Sequence, residues 1–426
     1  PATLDAPAAA DADSGEPRGV LYALAPSPRD ARVVWAGTDD GLVKLTTNGA
    51  QTWRDVTPPG TVAWTHVDTI EASHYDARSA YVALDRHRLD DDRPDIEATR
   101  DGGRTWRSIA TGLPDDASVN VVREDPVRPG LLFAGTETGV YVSFDDGNAW
   151  QSLRLNMPVV SVRDIAVHDG DLAIATHGRA FWILDDIEPL RELAAQPATG
   201  ARLFAPRDAI RMRSGNDEAE ATPPETSLGE NPPAGALIDY VVAPQNRGEV
   251  RIEISSGGRV VRRWSSADSS PPVDPSTVDF PAYWLEKPLP PRATPGMHRF
   301  VWDFRIGSAD GPLAPPGTYA VRLTVDDRTF AQSFRVRRDP RVRASDADLV
   351  ASSLLAQAID ALHARVRDVV SHAGATQFAA LRQDGRLLAE LQAAVESADA
   401  APTTDERARW ALLAARTRAA LVAKVP

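Results

Sequence analysis

The chain contains no cysteine at all among its 426 residues. Disulfides, thiolate metal sites and cysteine nucleophiles are therefore excluded. It is also short of positive charge, with 47 Lys and Arg against 60 Asp and Glu and a formal charge of -13. A nucleic-acid partner would require a basic face, so nucleic acid is excluded as a partner. No apolar run approaches the roughly 18 residues of a membrane span, so no membrane insertion is expected. The familiar catalytic signatures are missing too: no Gly-rich phosphate loop, no G-x-S-x-G elbow and no His pair at metal-binding spacing. The chain begins at Pro1 without a basic or strongly apolar leader. We read it as part of a longer or processed protein, with export to the periplasm or the extracellular space expected.

What is present divides by texture. Residues 1–18 are rich in Pro, Ala, Asp and Ser and read as a linker or disordered remnant. Residues 19–190 carry short β-branched runs punctuated by Gly, Asp and Pro. Residues 191–234 read as a connecting segment, Pro-rich and polar from Ser214 to Ala234. Strand patterns return at 235–338, in Ile238–Val242, Val250–Ile254, Phe300–Phe304 and Tyr319–Val325, with Gly257-Gly258 as a hairpin turn. From 345 to 426 the period becomes helical: Leu355, Ile359, Leu362, Val366 and Val369 form one seam, behind a capping box of Ser345 with Asp348. Leu387, Leu388, Leu391 and Val395 suggest a second helix, and Trp410, Leu413 and Leu421 a third.

A short box recurs three times in the first region. Thr99-Arg100-Asp101-Gly102-Gly103-Arg104-Thr105-Trp106 fits Ser/Thr-x-Asp-x-Gly-x-Thr-Trp at every position. Thr46–Trp53 fits with Asn48 for Asp and Ala50 for Gly, and Ser143–Trp150 fits with Asp145, Gly147 and Ala149. The tryptophans at 53, 106 and 150 are 53 and 44 residues apart, the size of a four-stranded sheet unit. The side chain of Asn48, Asp101 or Asp145 can hold the turn by accepting backbone N–H groups, Gly103 or Gly147 supplies positive φ, and Trp53, Trp106 or Trp150 packs between units. These residues are read as structural. The pattern predicts four such units, the fourth, from Val162, without a box.

Strands alternate in direction, so box turns share one face with the turns joining strands one and two. The opposite rim then carries Asp39, Asp40, Asp85, Arg86, His87, Arg88, Asp90, Asp91, Asp92, Glu137, His177 and Arg179 from two-to-three loops. Loops between units add Trp64, His66, Asp115, Asp116 and Arg163. The loop Asp85–Asp95 is longer than its equivalents, and long loops on a rigid scaffold are favoured places for function. Asp39, Asp85, Asp92 and Glu137 are the candidate catalytic carboxylates. Asp40, Trp64, His66, Arg86, His87, Arg88, Arg163, His177 and Arg179 are the candidate ligand-binding rim, with Trp64 as a stacking platform. No cofactor is expected; Asp90-Asp91-Asp92 offers Ca²⁺ a foothold but lacks EF-hand spacing and reads first as a solvated charge run.

The boxes, with Ala175–Asp186 (ATHGRAFWILDD) and Asp85–Asp91 (DRHRLDD), resemble a bacterial Asp-box family, variously described as BNR-repeat, sortilin-like or glycosyl-hydrolase propellers. Met297–Phe304 and Pro315–Tyr319 resemble that family's second domain. The resemblance runs from about residue 19 to 343. It implies a mainly β fold: part of an Asp-box β-propeller of about four blades, an Ig-like β-sandwich and a C-terminal helical hairpin or bundle, within an exported protein. It does not carry a catalytic set over, because the arginine triad and Arg-Ile-Pro motif of Asp-box sialidases do not occur. Binding of a glycan or peptide by the rim is the first expectation. A glycoside hydrolase with paired carboxylates, its site shared with earlier blades, is the second, and an envelope scaffold the third.

Overall fold

The computed structural model describes residues 19–213, 223, 225, 229, 231–246, 248–269, 281–284, 289–371 and 378–422. The expected remnant at 1–18 and, of the Pro-rich stretch 214–234, all but 223, 225, 229 and 231–234 lie outside the described residues. The chain divides into two compact units, Pro1–Pro197 and Ala198–Pro426.

The first unit is a succession of antiparallel meanders. Blade 1 is β1 (Leu21–Pro26), β2 (Val34–Thr38), β3 (Val43–Thr46) and β4 (Arg54–Asp55), hydrogen-bonded in that order. Blade 2 is β5 (His66–Ala72), β6 (Ala80–Asp85), β7 (Ile96–Thr99) and β8 (Arg107–Ser108). Blade 3 is β9 (Val119–Glu124), β10 (Leu132–Thr136), β11 (Gly139–Ser143) and β12 (Gln151–Ser152). Blade 4 has three strands, β13 (Val162–His168), β14 (Asp171–Thr176) and β15 (Phe181–Leu184), and is followed by α1 (Glu188–Ala195). The fourth strands are only two residues long and begin just after each box Trp, so the Trp ends the box turn rather than opening the strand.

The boxes work through their side chains. Asp101 Oδ1 accepts the amides of Arg104 at 2.9 Å and Thr105 at 3.0 Å, and its Oδ2 accepts the Thr105 hydroxyl at 2.8 Å. Asn48 and Asp145 accept the amides of Thr52 and Ala149 in the same way, both at 3.0 Å. Gly103 and Gly147 sit at φ of 71° and 79°. A Cβ on them would also lie 2.5 Å from Val56 and 2.6 Å from Ile109 of the preceding blade. Trp106 then reaches back, its Nε1 donating to Val56 O at 2.8 Å, and Trp150 Nε1 donates to Ile109 O at 2.5 Å. Each acceptor lies three residues after the preceding box Trp, so the boxes tie blade to blade.

The second unit holds two sheets around Trp302, which is fully buried. One is β16 (Arg202–Leu203), β18 (Ala236–Val242) and β21 (Gly296–Trp302); the other is β17 (Ala209–Arg211), β23 (Arg328–Arg338), β22 (Gly317–Val325), β19 (Val250–Ser256) and β20 (Arg259–Ser265). The stretch expected to be purely connecting thus supplies α1 and two edge strands. Leu203 and Ala209 are buried in the sandwich core, a gain that short polar-flanked segments hide from pattern reading. Three helices follow, α2 (Asp346–Ser371), α3 (Ala379–Val395) and α4 (Thr404–Val422). Ser345 Oγ accepts the Asp348 amide at 3.2 Å while Asp348 accepts the Ser345 amide at 2.9 Å, closing the capping box. Ile359, Leu362 and Val366 lie buried against Leu388, Leu391 and Leu413.

Candidate functional site

Backbone hydrogen bonds sort the loops of the first unit between two faces. At the box face, each box turn is tied to the one-to-two turn of its own blade: Gly49 N donates to Arg32 O (3.0 Å), Gly102 N to Arg78 O (2.7 Å) and Asp146 N to Gly130 O (2.9 Å). At the opposite face, the two-to-three loops of blades 1, 3 and 4 are tied to the loop entering strand one or leaving the blade. Asp39 N donates to Val20 O at 3.1 Å, Trp64 N to Asp40 O at 2.9 Å, Glu137 N to Ser118 O at 3.1 Å and His177 N to Ser161 O at 2.9 Å.

Part of the charge of the rim is paired internally, most densely in the loop Asp85–Asp95. Arg86 holds Asp91 at 2.9 Å and also pairs with Asp95, and Arg93 holds Asp91 at 2.8 Å. The hydrogen bonds from Arg93, backed by those from Arg86, hold the Asp91 carboxyl well below the usual range. Asp85 is buried and engages the His87 ring and its amide. Asp39 Oδ1 accepts the Val20 amide at 2.6 Å, and Glu137 pairs with Arg163 at 3.1 Å. Arg88, Asp90 and Asp92 sit exposed at the 3-10 turn His87–Leu89, and Trp64, His177 and Arg179 are exposed nearby on their loops. Among the described residues no cluster of three or more metal-ligating side chains forms.

The cavity lies further in, along the first strands of the four blades, with a volume of about 590 Å³. Every one of these strands carries a register irregularity at the same place. The shifts fall between Leu21 and Ala23, between Val67 and Thr69, opposite Gly135/Thr136 (hence between Val119 and Val121), and between Val162 and Asp164. A bulge leaves one residue unpaired and re-aims its side chain. The four residues so released are Tyr22, Asp68, Asn120 and Arg163, and all four line the cavity.

They are held in two pairs, Tyr22 with Asp68 through His66 and Asn120 with Arg163 directly. The Tyr22 ring meets the His66 ring edge-on at 4.1 Å, and His66 Nδ1 is hydrogen-bonded to Asp68. Arg163 donates to Asn120 Oδ1 at 3.1 Å, and Asn120 Nδ2 donates to Val162 O at 3.0 Å and Glu137 Oε1 at 3.1 Å. Burial pushes the Asp68 carboxyl up, against the hydrogen bond from His66 that pulls it down. Deeper along the cavity, Arg123 bridges Asp164 at 2.7 Å and Glu71 at 3.5 Å, and Glu71 faces His74 at 3.3 Å. Interaction with Glu71 raises the His74 pKa.

Of the rim residues expected from the sequence, Arg163 alone lines this cavity, and His66 supports it from behind. None of Asp39, Asp85, Asp92 and Glu137 lines it, although Glu137 reaches it through Arg163 and Asn120. Tyr22, Asp68 and Asn120 were not singled out by sequence. The signal was there, in the second position of the recurring runs Leu21-Tyr22-Ala23-Leu24, Val67-Asp68-Thr69-Ile70, Val119-Asn120-Val121-Val122 and Val162-Arg163-Asp164-Ile165. Reading it requires knowing that a bulge falls there.

No protein-family model and no curated protein matches the chain. Among solved structures it is similar to YCF48 from Cyanidioschyzon merolae, with 18% identity, a TM-score of 0.31, and 39% of this chain and 55% of that one covered. It is also similar to the Niastella koreensis GH74 enzyme, with 13% identity, a TM-score of 0.30, and 58% of this chain and 30% of that one covered. An ancestral GH74 enzyme gives 15% identity, a TM-score of 0.32, and 59% and 34% covered. The chain thus spans little more than half of the first of these proteins and about a third of the other two. At such TM-scores these likenesses decide nothing, and the blades stand on the chain's own hydrogen-bond ladders. Among the described residues no helix is long and apolar enough to cross a membrane.

Proposed function

We propose that the first unit is a ligand-binding module whose site is the cavity along the first strands, entered from the rim opposite the box turns. The observation that carries this reading is the set of four equivalent bulges aiming Tyr22, Asp68, Asn120 and Arg163 into one cavity. A bulge at one strand is a local accident; the same bulge at four strands, releasing an aromatic, a carboxylate, an amide and a guanidinium, is a recognition surface. An aromatic face with directional donors and acceptors suits a glycan or an extended peptide, and the acidic balance suits neither nucleic acid nor an anionic surface. Export of the protein, with a glycan or peptide as partner, belongs to the same reading. Glycan and peptide arrays probed with the protein test it. Tyr22→Ala and Arg163→Ala should each weaken any ligand found by roughly tenfold or more, about 1.4 kcal/mol, without changing the melting temperature. Unchanged binding in both variants overturns the assignment of the cavity.

One observation favours glycoside hydrolysis as a second reading. Asp68 is a half-buried carboxyl whose pKa is raised, the direction a general acid needs, and Glu71 and Asp164 line the same cavity. Release of reducing sugar from β-glucans, abolished in Asp68→Asn, would support it; binding without turnover would leave the module a binder.

A further inference from the structure

The acidic excess of the chain lies wholly in its first unit. That unit holds 18 Lys and Arg against 32 Asp and Glu, whereas the second, Ala198–Pro426, holds 29 against 28. Within the second unit the charges are sorted again, onto the outer face of the five-stranded sheet.

Strand alternation decides what that face presents. Ile252, Val321, Leu323, Phe334 and Val336 are buried in the core. Their sequence neighbours point the other way: Arg251 and Glu253 on β19, Arg322 on β22, and Arg335 and Arg337 on β23. Arg263 of the edge strand β20 stands opposite Glu253 on the same face. Every other outward residue of β19, β22 and β23 is Ser, Thr or Ala. Arg251 is taken up by Glu249. Glu253 stands between Arg263 and Arg322 at 3.6 and 3.7 Å, beyond hydrogen-bond reach of either. The side chains of Arg335 and Arg337 are exposed and have no partner among the described residues. Four guanidinium groups thus share one carboxylate. Arg322 pairs in register with Ala331, and Arg335 lies four residues further along β23, about 13 Å away. The floor between them is Ala320, Ser333 and Thr318, all small.

The charge calls for an anionic occupant, and the rest of the face narrows its kind. With no ring on the three inner strands, neither a nucleobase nor an uncharged sugar finds a stacking platform. A flat sheet offers nothing to enter a duplex groove. An acidic peptide would add to a sheet edge. Both edges already have a carbonyl taken: Val261 O accepts the Gly307 amide and Ile210 O the Met212 amide, each at 2.8 Å. The planar fork of arginine matches a carboxylate, and serine and threonine hydroxyls match sugar hydroxyls. We infer that this face binds a linear glycan carrying carboxylates, a polyuronate, as a second site beside the cavity of the first unit.

Titration calorimetry of the whole chain with polygalacturonate tests this, with dextran as the uncharged control. Polygalacturonate should bind and dextran should not, and the binding should weaken as salt rises from about 50 to about 200 mM. Arg322→Glu with Arg335→Glu should weaken it about tenfold or more. Arg322→Lys with Arg335→Lys keeps the charge but removes the forks, and should give a smaller loss. Arg365→Glu with Arg386→Glu, at exposed positions of α2 and α3, changes the net charge equally and should leave affinity within about twofold. Tyr22→Ala and Arg163→Ala, which probe the cavity, should leave it unchanged. Absence of polygalacturonate binding at about 50 mM salt overturns the inference. So does undiminished binding in the Glu pair or the Lys pair, or an equal loss in the helix pair. Polyglutamate, duplex DNA or phosphatidylglycerol vesicles bound as tightly as polygalacturonate overturn it as well, because the face would then read charge alone.

Discussion

The two faces of the first unit use the same residue types for opposite purposes. At the box face, charge and backbone are committed to each other. Asp101 is spent on the amides of its own turn. Tyr81 lies buried with its hydroxyl 3.0 Å from Glu124 and 2.8 Å from Asp146. Asp125, fully buried, is held by Arg191 of α1 at 2.9 Å. At the opposite end, four bulges turn an equivalent set of polar groups away from the ladder and into a cavity. A carboxylate that fastens a turn and one that could meet a ligand are thus told apart by where their hydrogen bonds go, and not by residue type or exposure.

That contrast can be broken experimentally. The largest effect is expected for Arg191→Ala, which leaves the buried Asp125 with only the amides of Val127 and Arg128 and no paired guanidinium; loss of about 3 kcal/mol in urea unfolding is expected. Trp150→Ala, which removes a buried ring and its hydrogen bond to Ile109, should cost a similar amount, about 3 kcal/mol, by the same measurement. A smaller effect follows from Asp101. The amide and hydroxyl of Thr105, with the Thr99 hydroxyl and Arg104 amide, hold its pKa at about 2, below the ordinary 3.8. A depressed carboxyl contributes stability above its unfolded value, and the contribution is lost as pH falls from about 4 towards about 2. Asp101→Asn should therefore melt below the unaltered protein at pH 7, and the two curves should converge near pH 2. The smallest effect on stability is expected at the other face. Tyr22→Ala and Asp68→Asn should shift unfolding by no more than about 0.5 kcal/mol, while they alter binding in the cavity. A large destabilisation by either would erase the distinction between the faces.

Legibility in the sequence followed the range of the interaction. The box turn at Thr99–Trp106, the hairpin at Gly257-Gly258 and the capping box at Ser345 were readable because neighbours in sequence make them. So was the face on which each loop lies, since strand parity is a counting argument. Arg163 was reached by that counting. Tyr22, Asp68 and Asn120 were not, because simple alternation places a residue on one side of a strand or the other, and a bulge breaks alternation. The two edge strands at Arg202 and Ala209 escaped for a related reason: strands of two or three residues have no period to detect.

The sequence by itself determined the repeat, the turn chemistry and the change from strands to helices, because each rests on spacings of a few residues. Only the tertiary structure decided which polar groups are spent and which are presented. In the longest loop of the rim that counting filled with charges, Asp85 and Asp91 are taken up by His87, Arg86 and Arg93. The cavity is built instead from residues some fifty apart, brought together because successive blades pack the same strand against the same centre.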